Sequence, residues 1–170
     1  MASRGGVALR VRELTDAGFA RFGRALARPE RAEDGSGQGW TWWAENALLP
    51  SDGRPFAIGY LALEPVELRV DWAERHMRSA EAIFPLGGDC LVYVGPPEHA
   101  DEPSRAPRLD RFEVFRVRAG DGVVLDRGVW HGAPLAIDRP LSAAVFLLKD
   151  TGSSDTTIVR FEDAPITVEL

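Results

Sequence analysis

Cysteine is almost missing from this chain of 170 residues, where Cys90 stands alone. A single cysteine excludes an internal disulfide and a zinc site built from several thiolates, and it fits a reducing, cytoplasmic compartment. Its apolar neighbours make Cys90 a small core residue. Positive charge is also in short supply: 20 Lys and Arg stand against 26 Asp and Glu, for a net charge of −6 and a pI near 5.1. That balance argues against a nucleic-acid partner or an anionic membrane surface. No apolar run approaches the ~18–20 residues of a membrane span. Residues 1–6 are polar and carry no signal-peptide core. Ser153 and Ser154 lie in a turn without a nucleophile elbow, so no Ser-His-Asp set emerges. Only three histidines occur, and any chemistry built on imidazole must use them.

What is present is enough for one domain over residues 1–170, with 45% apolar residues to fill a core. The spacing of Phe19, Phe22 and Leu26 predicts one short helix over 14–26, capped by Thr15 or Asp16. Residues 28–39 read as a flexible, charged, Gly-rich loop. Its Gly35-x-Gly37-x-Gly39 run has neither the preceding strand nor the following helix of a phosphate loop. Beyond it the pattern turns to β, with strands expected over 56–63, 66–72, 80–85, 91–94, 112–118, 123–125, 141–149 and 157–161, and a Pro-rich loop over 95–107. Many short strands punctuated by Gly and Pro predict an all-β sandwich or barrel.

Two segments carry the chemistry. The first is Glu74-x-His76-x4-Glu81-x6-Gly88, and the second is Gly120-x5-Asp126-x-Gly128-x2-His131. Side chains at i and i+2 of a strand share a face, so Glu74 and His76 point together. Two imidazoles and two carboxylates, Glu74, His76, Glu81 and His131, suit one divalent transition metal: Mn, Fe, Ni or Zn. Ca or Mg would call for more oxygen ligands. The competing reading pairs Glu74 with Arg75 or Arg78 and leaves His76 a hydrogen-bonded pocket residue. Tyr93, alternating with Val92 and Val94, is a candidate donor to a bound oxyanion. Trp72 and Trp130 are expected on the face opposite the motif residues. Trp40, Trp42 and Trp43 are expected to cover a barrel end or a dimer contact. His99 reads as solvated, while Lys149 and Asp150 fit either the pocket mouth or a solvated turn.

The spacing of the two segments resembles the two-part signature of the cupin barrel, a double-stranded β-helix (jelly roll), with Glu74 in place of the usual first histidine. More narrowly, the chain resembles the ureidoglycolate lyase family. The matching segments are Glu74-Arg75-His76 with Ala82-Ile83-Phe84-Pro85-Leu86, Gly128-Val129-Trp130-His131 with Pro134-Leu135, Asp150 through Asp155, and Phe19 with Phe22-Gly23. The resemblance implies a cupin barrel with a short N-terminal helix, a homodimer, and cleavage of ureidoglycolate, a small polar anion, to glyoxylate and urea. It implies no organic cofactor. Glu81 or His131 would act as base and His76 as ligand or proton donor. The chain departs from the family in several places. It has Glu81 where members carry Gln, Gly132 for the second histidine of Trp-His-His-Pro, Thr151 for an arginine, and Tyr60 in a strand where members tend to carry an arginine. These departures keep open a metal-dependent isomerase, dehydratase or dioxygenase, and a non-catalytic ligand-binding cupin.

Overall fold

The computed structural model describes residues 6–102 and 105–170. Residues 1–5 of the polar N-terminus, and Pro103 and Ser104 of the Pro-rich loop, lie outside the described residues. The first half of the chain forms β1 (Val7–Glu13), α1 (Asp16–Phe19), β2 (Gly23–Leu26), β3 (Gly35–Gly37), β4 (Trp40–Trp42), β5 (Phe56–Leu63), β6 (Arg69–Val70) and β7 (Trp72–Arg75). The second half forms β8 (Glu81–Leu86), β9 (Cys90–Gly95), β10 (Glu113–Val117), β11 (Gly122–Leu125), β12 (Trp130–His131), β13 (Leu135–Ala136), β14 (Leu141–Leu148), α2 (Thr151–Ser154), β15 (Thr157–Arg160) and β16 (Ile166–Glu169). The fold is all-β, the expected cupin-type barrel, and its helices are single turns.

Among the described residues, one sheet runs β15-β7-β12-β9-β10-β1-β16-β6, with β13 on β9, and another runs β2-β11-β8-β14-β5. The core between them takes Val92, Val94, Phe115 and Val117 from the first sheet and Ile83, Val123, Leu125 and Ala143 from the second. The alternate residues of the same strands, Leu91, Tyr93 and Val114, pack on the far face of the first sheet with Phe112, Trp130, Ile166 and Val168. Strand β9 is therefore buried on both faces, which explains its unbroken apolar sequence. Cys90 sits in the inter-sheet core, where burial and the neighbouring Asp89 charge push its thiol up to about 12 and leave it inert.

The helix expected over 14–26 is confined to α1. Thr15 caps it by accepting from the Gly18 amide at 3.1 Å. The chain then turns, and β2 pairs with β11. Gly23 forces the change: its φ of +143° and the approach of the Val124 carbonyl to 1.8 Å from a would-be Cβ admit only glycine. Phe19 and Phe22 fit a helical spacing because both must reach Phe115, at ring distances of 5.1 and 5.9 Å. The Gly-rich run is also more ordered than its composition suggested. Gly35–Gly37 pairs with Trp40–Trp42, and Arg31 ties the hairpin to Asp34 at 2.8 Å and to the Ala44 carbonyl at 2.6 Å. Trp43 stacks under Arg28, and Trp42 is exposed.

Candidate active site

A single pairing brings the two sequence segments together. In the first sheet His131 lies directly opposite Glu74, and His76 follows on the same side as Glu74. Glu81 opens β8 in the other sheet, opposite Leu125. The pocket thus draws one carboxylate from each sheet. It measures about 350 Å³ and is bordered by Glu74, His76, Glu81, Gly132 and Thr156. A larger groove of about 1220 Å³, bordered by Arg28, Asn46 and Arg127, holds none of the motif residues.

Backbone carbonyls fix both histidines. His76 Nδ1 donates to the Asp155 carbonyl at 3.0 Å, and His131 Nδ1 donates to the Val129 carbonyl at 2.9 Å. A carbonyl can only accept, so each Nδ1 carries a proton and each Nε2 is turned into the pocket. Both Nε2 atoms meet the same oxygen: Glu81 Oε2 lies 3.2 Å from His76 and 3.3 Å from His131. All three side chains are buried.

This arrangement fits a divalent transition metal. Glu74, His76 and His131 each offer one ligand atom, all within 4.8 Å of one another. Pinning the outer nitrogen of each imidazole to a carbonyl is what orients metal-binding histidines. Without a metal, two lone pairs and a carboxylate cannot share this space, so a proton must be held between them. Burial alone would push the Glu81 carboxyl up, but the charges and hydrogen bonds of His131 and His76 outweigh it and hold the pKa down at about 2. Burial alone would likewise depress His131. The Glu81 charge and hydrogen bond, the Val129 carbonyl and Glu74 overcome it and raise the imidazole.

These shifts set a pH dependence for the chelator-treated protein. A carboxyl lowered from 4.5 stabilises the fold above pH 4.5 and loses that contribution as pH falls towards 2. An imidazole raised from 6.5 stabilises the fold below pH 6.5 and loses that contribution as pH rises through its folded value. Melting temperature should therefore plateau between about pH 4.5 and 6.5 and fall on both sides. Glu81→Gln should flatten both limbs. Parallel curves for the two proteins would refute the coupling.

Asp155 is a site residue that the sequence reading passed over. Its side chain is nearly buried and accepts from the Met77 amide at 3.1 Å and the Arg78 amide at 2.8 Å. Its own carbonyl holds His76. Arg78 adds an ion pair at 3.4 Å and donates to the Ser154 carbonyl. One residue therefore locks the turn after His76 and sets the histidine's tautomer. Asp155→Ala should cost about 1–3 kcal/mol, because it leaves two amides without their acceptor. Urea unfolding measures this, and an unchanged midpoint would remove the clamp from the account.

The remaining candidates fall elsewhere. Arg75 turns away from Glu74. It lies over the Trp130 ring at 4.4 Å and donates to the Glu98 and His99 carbonyls at 2.7 and 3.0 Å. Tyr93 is not brought to the pocket. Val92 and Val94 face the inter-sheet core, whereas Tyr93 packs on the far side and donates to the Trp72 carbonyl at 3.2 Å. Burial, with the Glu74 and Asp71 charges, raises its pKa strongly. Trp130 packs opposite His131, as expected. Trp72 departs from expectation: it is half-buried in step with Glu74, not buried like Ala73 and Arg75. Its ring comes within 3.3 Å of the Gly132 Cβ position. Lys149 pairs with Asp150 at an exposed turn.

Comparison with known proteins agrees with the motif resemblance. The ureidoglycolate lyase family model matches residues 7–169. A ureidoglycolate lyase of Azotobacter vinelandii is 30% identical over 134 residues, 76% of this chain and 78% of that protein. One from Burkholderia cepacia is 27% identical over 149 residues, 85% and 80% of the two chains. A solved structure of a Bacillus subtilis oxalate decarboxylase mutant aligns with a TM-score of 0.43 at 16% identity, over 64% of this chain and 24% of that one.

Proposed function

Because this chain belongs to the ureidoglycolate lyase family, we propose that it cleaves ureidoglycolate to glyoxylate and urea. The observation that carries the reading is the convergence of two tautomer-fixed imidazoles on one buried carboxylate oxygen. Glu74, His76 and His131 would hold a divalent ion of the Mn, Fe, Ni or Zn type. When bound, such an ion polarises the substrate's hydroxyl and carboxylate oxygens and acidifies the hydroxyl.

Glu81 is the proton carrier in this scheme. It takes the hydroxyl proton, and the O–H electrons become the new C=O bond of glyoxylate. The C–N bond breaks, and its electron pair receives the proton back from Glu81, so urea leaves neutral. One proton is taken and the same one returned. His76 and His131, fixed through Nδ1, keep their Nε2 atoms turned to the ion site beside Glu81, and the Asp155 clamp keeps His76 from rotating. The test is a direct assay of purified protein with racemic ureidoglycolate, measuring glyoxylate and urea, beside elemental mass spectrometry of the same sample. Equimolar products and about one metal per chain are expected. Absence of glyoxylate above the uncatalysed rate would refute the reading.

A further inference from the structure

The pocket has two chemically different sides. One side is the Glu74, His76, Glu81 and His131 cluster. The other is mostly aliphatic: Leu61 of β5, Val145 and Leu147 of β14, and Ile158 of β15, with Tyr60 and Thr156 as its polar side chains. Strand pairing builds that second side deliberately close to the first, because Ile158 lies opposite Glu74. Gly59 lies opposite Val145 and leaves open a volume that any larger residue would fill. A glycine inside a strand weakens it and marks a place where another group approaches closely.

Among the described residues, no Lys or Arg lines this pocket. The nearby cations are engaged elsewhere: Arg78 with Asp155, Arg54 with the Arg78 carbonyl, Arg160 with Glu162 and Lys149 with Asp150. Away from the histidine side, a substrate carboxylate would therefore find no cationic side chain, only the Tyr60 and Thr156 hydroxyls. A second anionic group would meet Leu61 and Leu147 with no guanidinium to receive it, and two carboxylates, Glu74 and Glu81, nearby. The space is also generous for a small polar molecule. It measures about 350 Å³, many times the ~10–15 Å³ that one water needs on the same measure.

We infer that the site selects a mono-anionic 2-hydroxy-acid derivative that carries an aliphatic substituent, such as an N-alkylated ureido group, in preference to a compact or doubly charged one. The inference rests on the proposed function for where the hydroxy-acid head binds. It adds the identity of the group at the other end.

Three unreactive probes share the head and differ in the tail: glycolate, tartronate and 2-hydroxyhexanoate. Each buried methylene multiplies affinity by about fourfold, so calorimetry should find 2-hydroxyhexanoate binding at least tenfold tighter than glycolate or tartronate. Leu147→Arg should invert the order in favour of tartronate. If that variant fails to fold, Ile158→Arg, at a position 53% exposed, carries the same test. Equal or tighter binding of tartronate by the wild type overturns the inference, as does no binding of 2-hydroxyhexanoate. Glyoxylate release from ureidoglycolate, assayed in parallel, separates the two readings. Release without 2-hydroxyhexanoate binding sinks only the substituent preference. Tight binding without release from any ureido compound sinks only the lyase assignment.

Discussion

Glu81→Ala and His131→Ala should each lower kcat/KM for ureidoglycolate by about 10²–10⁴, the range expected when a positioned proton-transfer group is removed. The two residues meet at 3.3 Å in a buried site, so the loss from each has a distinct origin. Without Glu81 no group beside the two Nε2 atoms can take the hydroxyl proton and return it. Without His131, Glu81 loses the partner that most strongly holds its charge, and its carboxyl moves up from about 2 towards the value burial dictates. The pair acts as a unit, so the double variant should be little worse than either single one. Glu81→Gln is the sharper probe. Gln matches Glu in size and shape, so only the proton-carrying capacity changes. Full activity in Glu81→Gln, with circular dichroism unchanged, would show that the proton travels by another route.

The barrel was legible because its strands obey simple alternation. Val92, Val94, Phe115 and Val117 face one core and Leu91, Tyr93, Phe112 and Val114 the other, and both sets can be read off the sequence at period two. The co-facing of Glu74 and His76 follows from the same rule. The arrival of His131 beside them does not. It depends on a two-residue strand in which His131 pairs with Val94 and Glu74, 37 and 57 positions earlier, and it was available only through the resemblance.

The misreadings have physical causes. Phe19, Phe22 and Leu26 are spaced as on a helix, but a packed aromatic cluster satisfies that spacing equally well once Gly23 turns the chain. Strand β16 pairs in parallel with β1 from the far end of the sequence, and local propensity cannot signal such a partner. Asp155 sits in a stretch noted for its resemblance, yet the residue of that stretch that turns inward is decided by its contacts with the Met77 and Arg78 amides.

Gly132→Ala should destabilise the protein by about 3–5 kcal/mol, well beyond an ordinary surface glycine replacement. The new Cβ would stand 1.7 Å from Tyr93 Oη, 2.6 Å from its Cζ and 3.3 Å from the Trp72 ring. Tyr93 cannot swing aside, because its ring is buried with Leu91, Val114 and Trp130, and displacing it breaks the hydrogen bond to the Trp72 carbonyl. Overpacking and a lost buried hydrogen bond therefore add. The two positions must be coupled. Tyr93→Ala alone should cost about 3–5 kcal/mol as a cavity, but in the Gly132→Ala background it removes the clash, so the double variant should be more stable than the sum predicts by at least about 2 kcal/mol. Urea unfolding of the four proteins measures this, and additive losses would show that the backbone at 132 shifts freely instead. The coupling also bears on the position where the motif resemblance would put a second histidine: this chain has Gly132 there, and the Tyr93 hydroxyl fills the space a side chain would need. Gly132→His should accordingly be worse tolerated than Gly132→Ala, and only shortening residue 93 should make room for it.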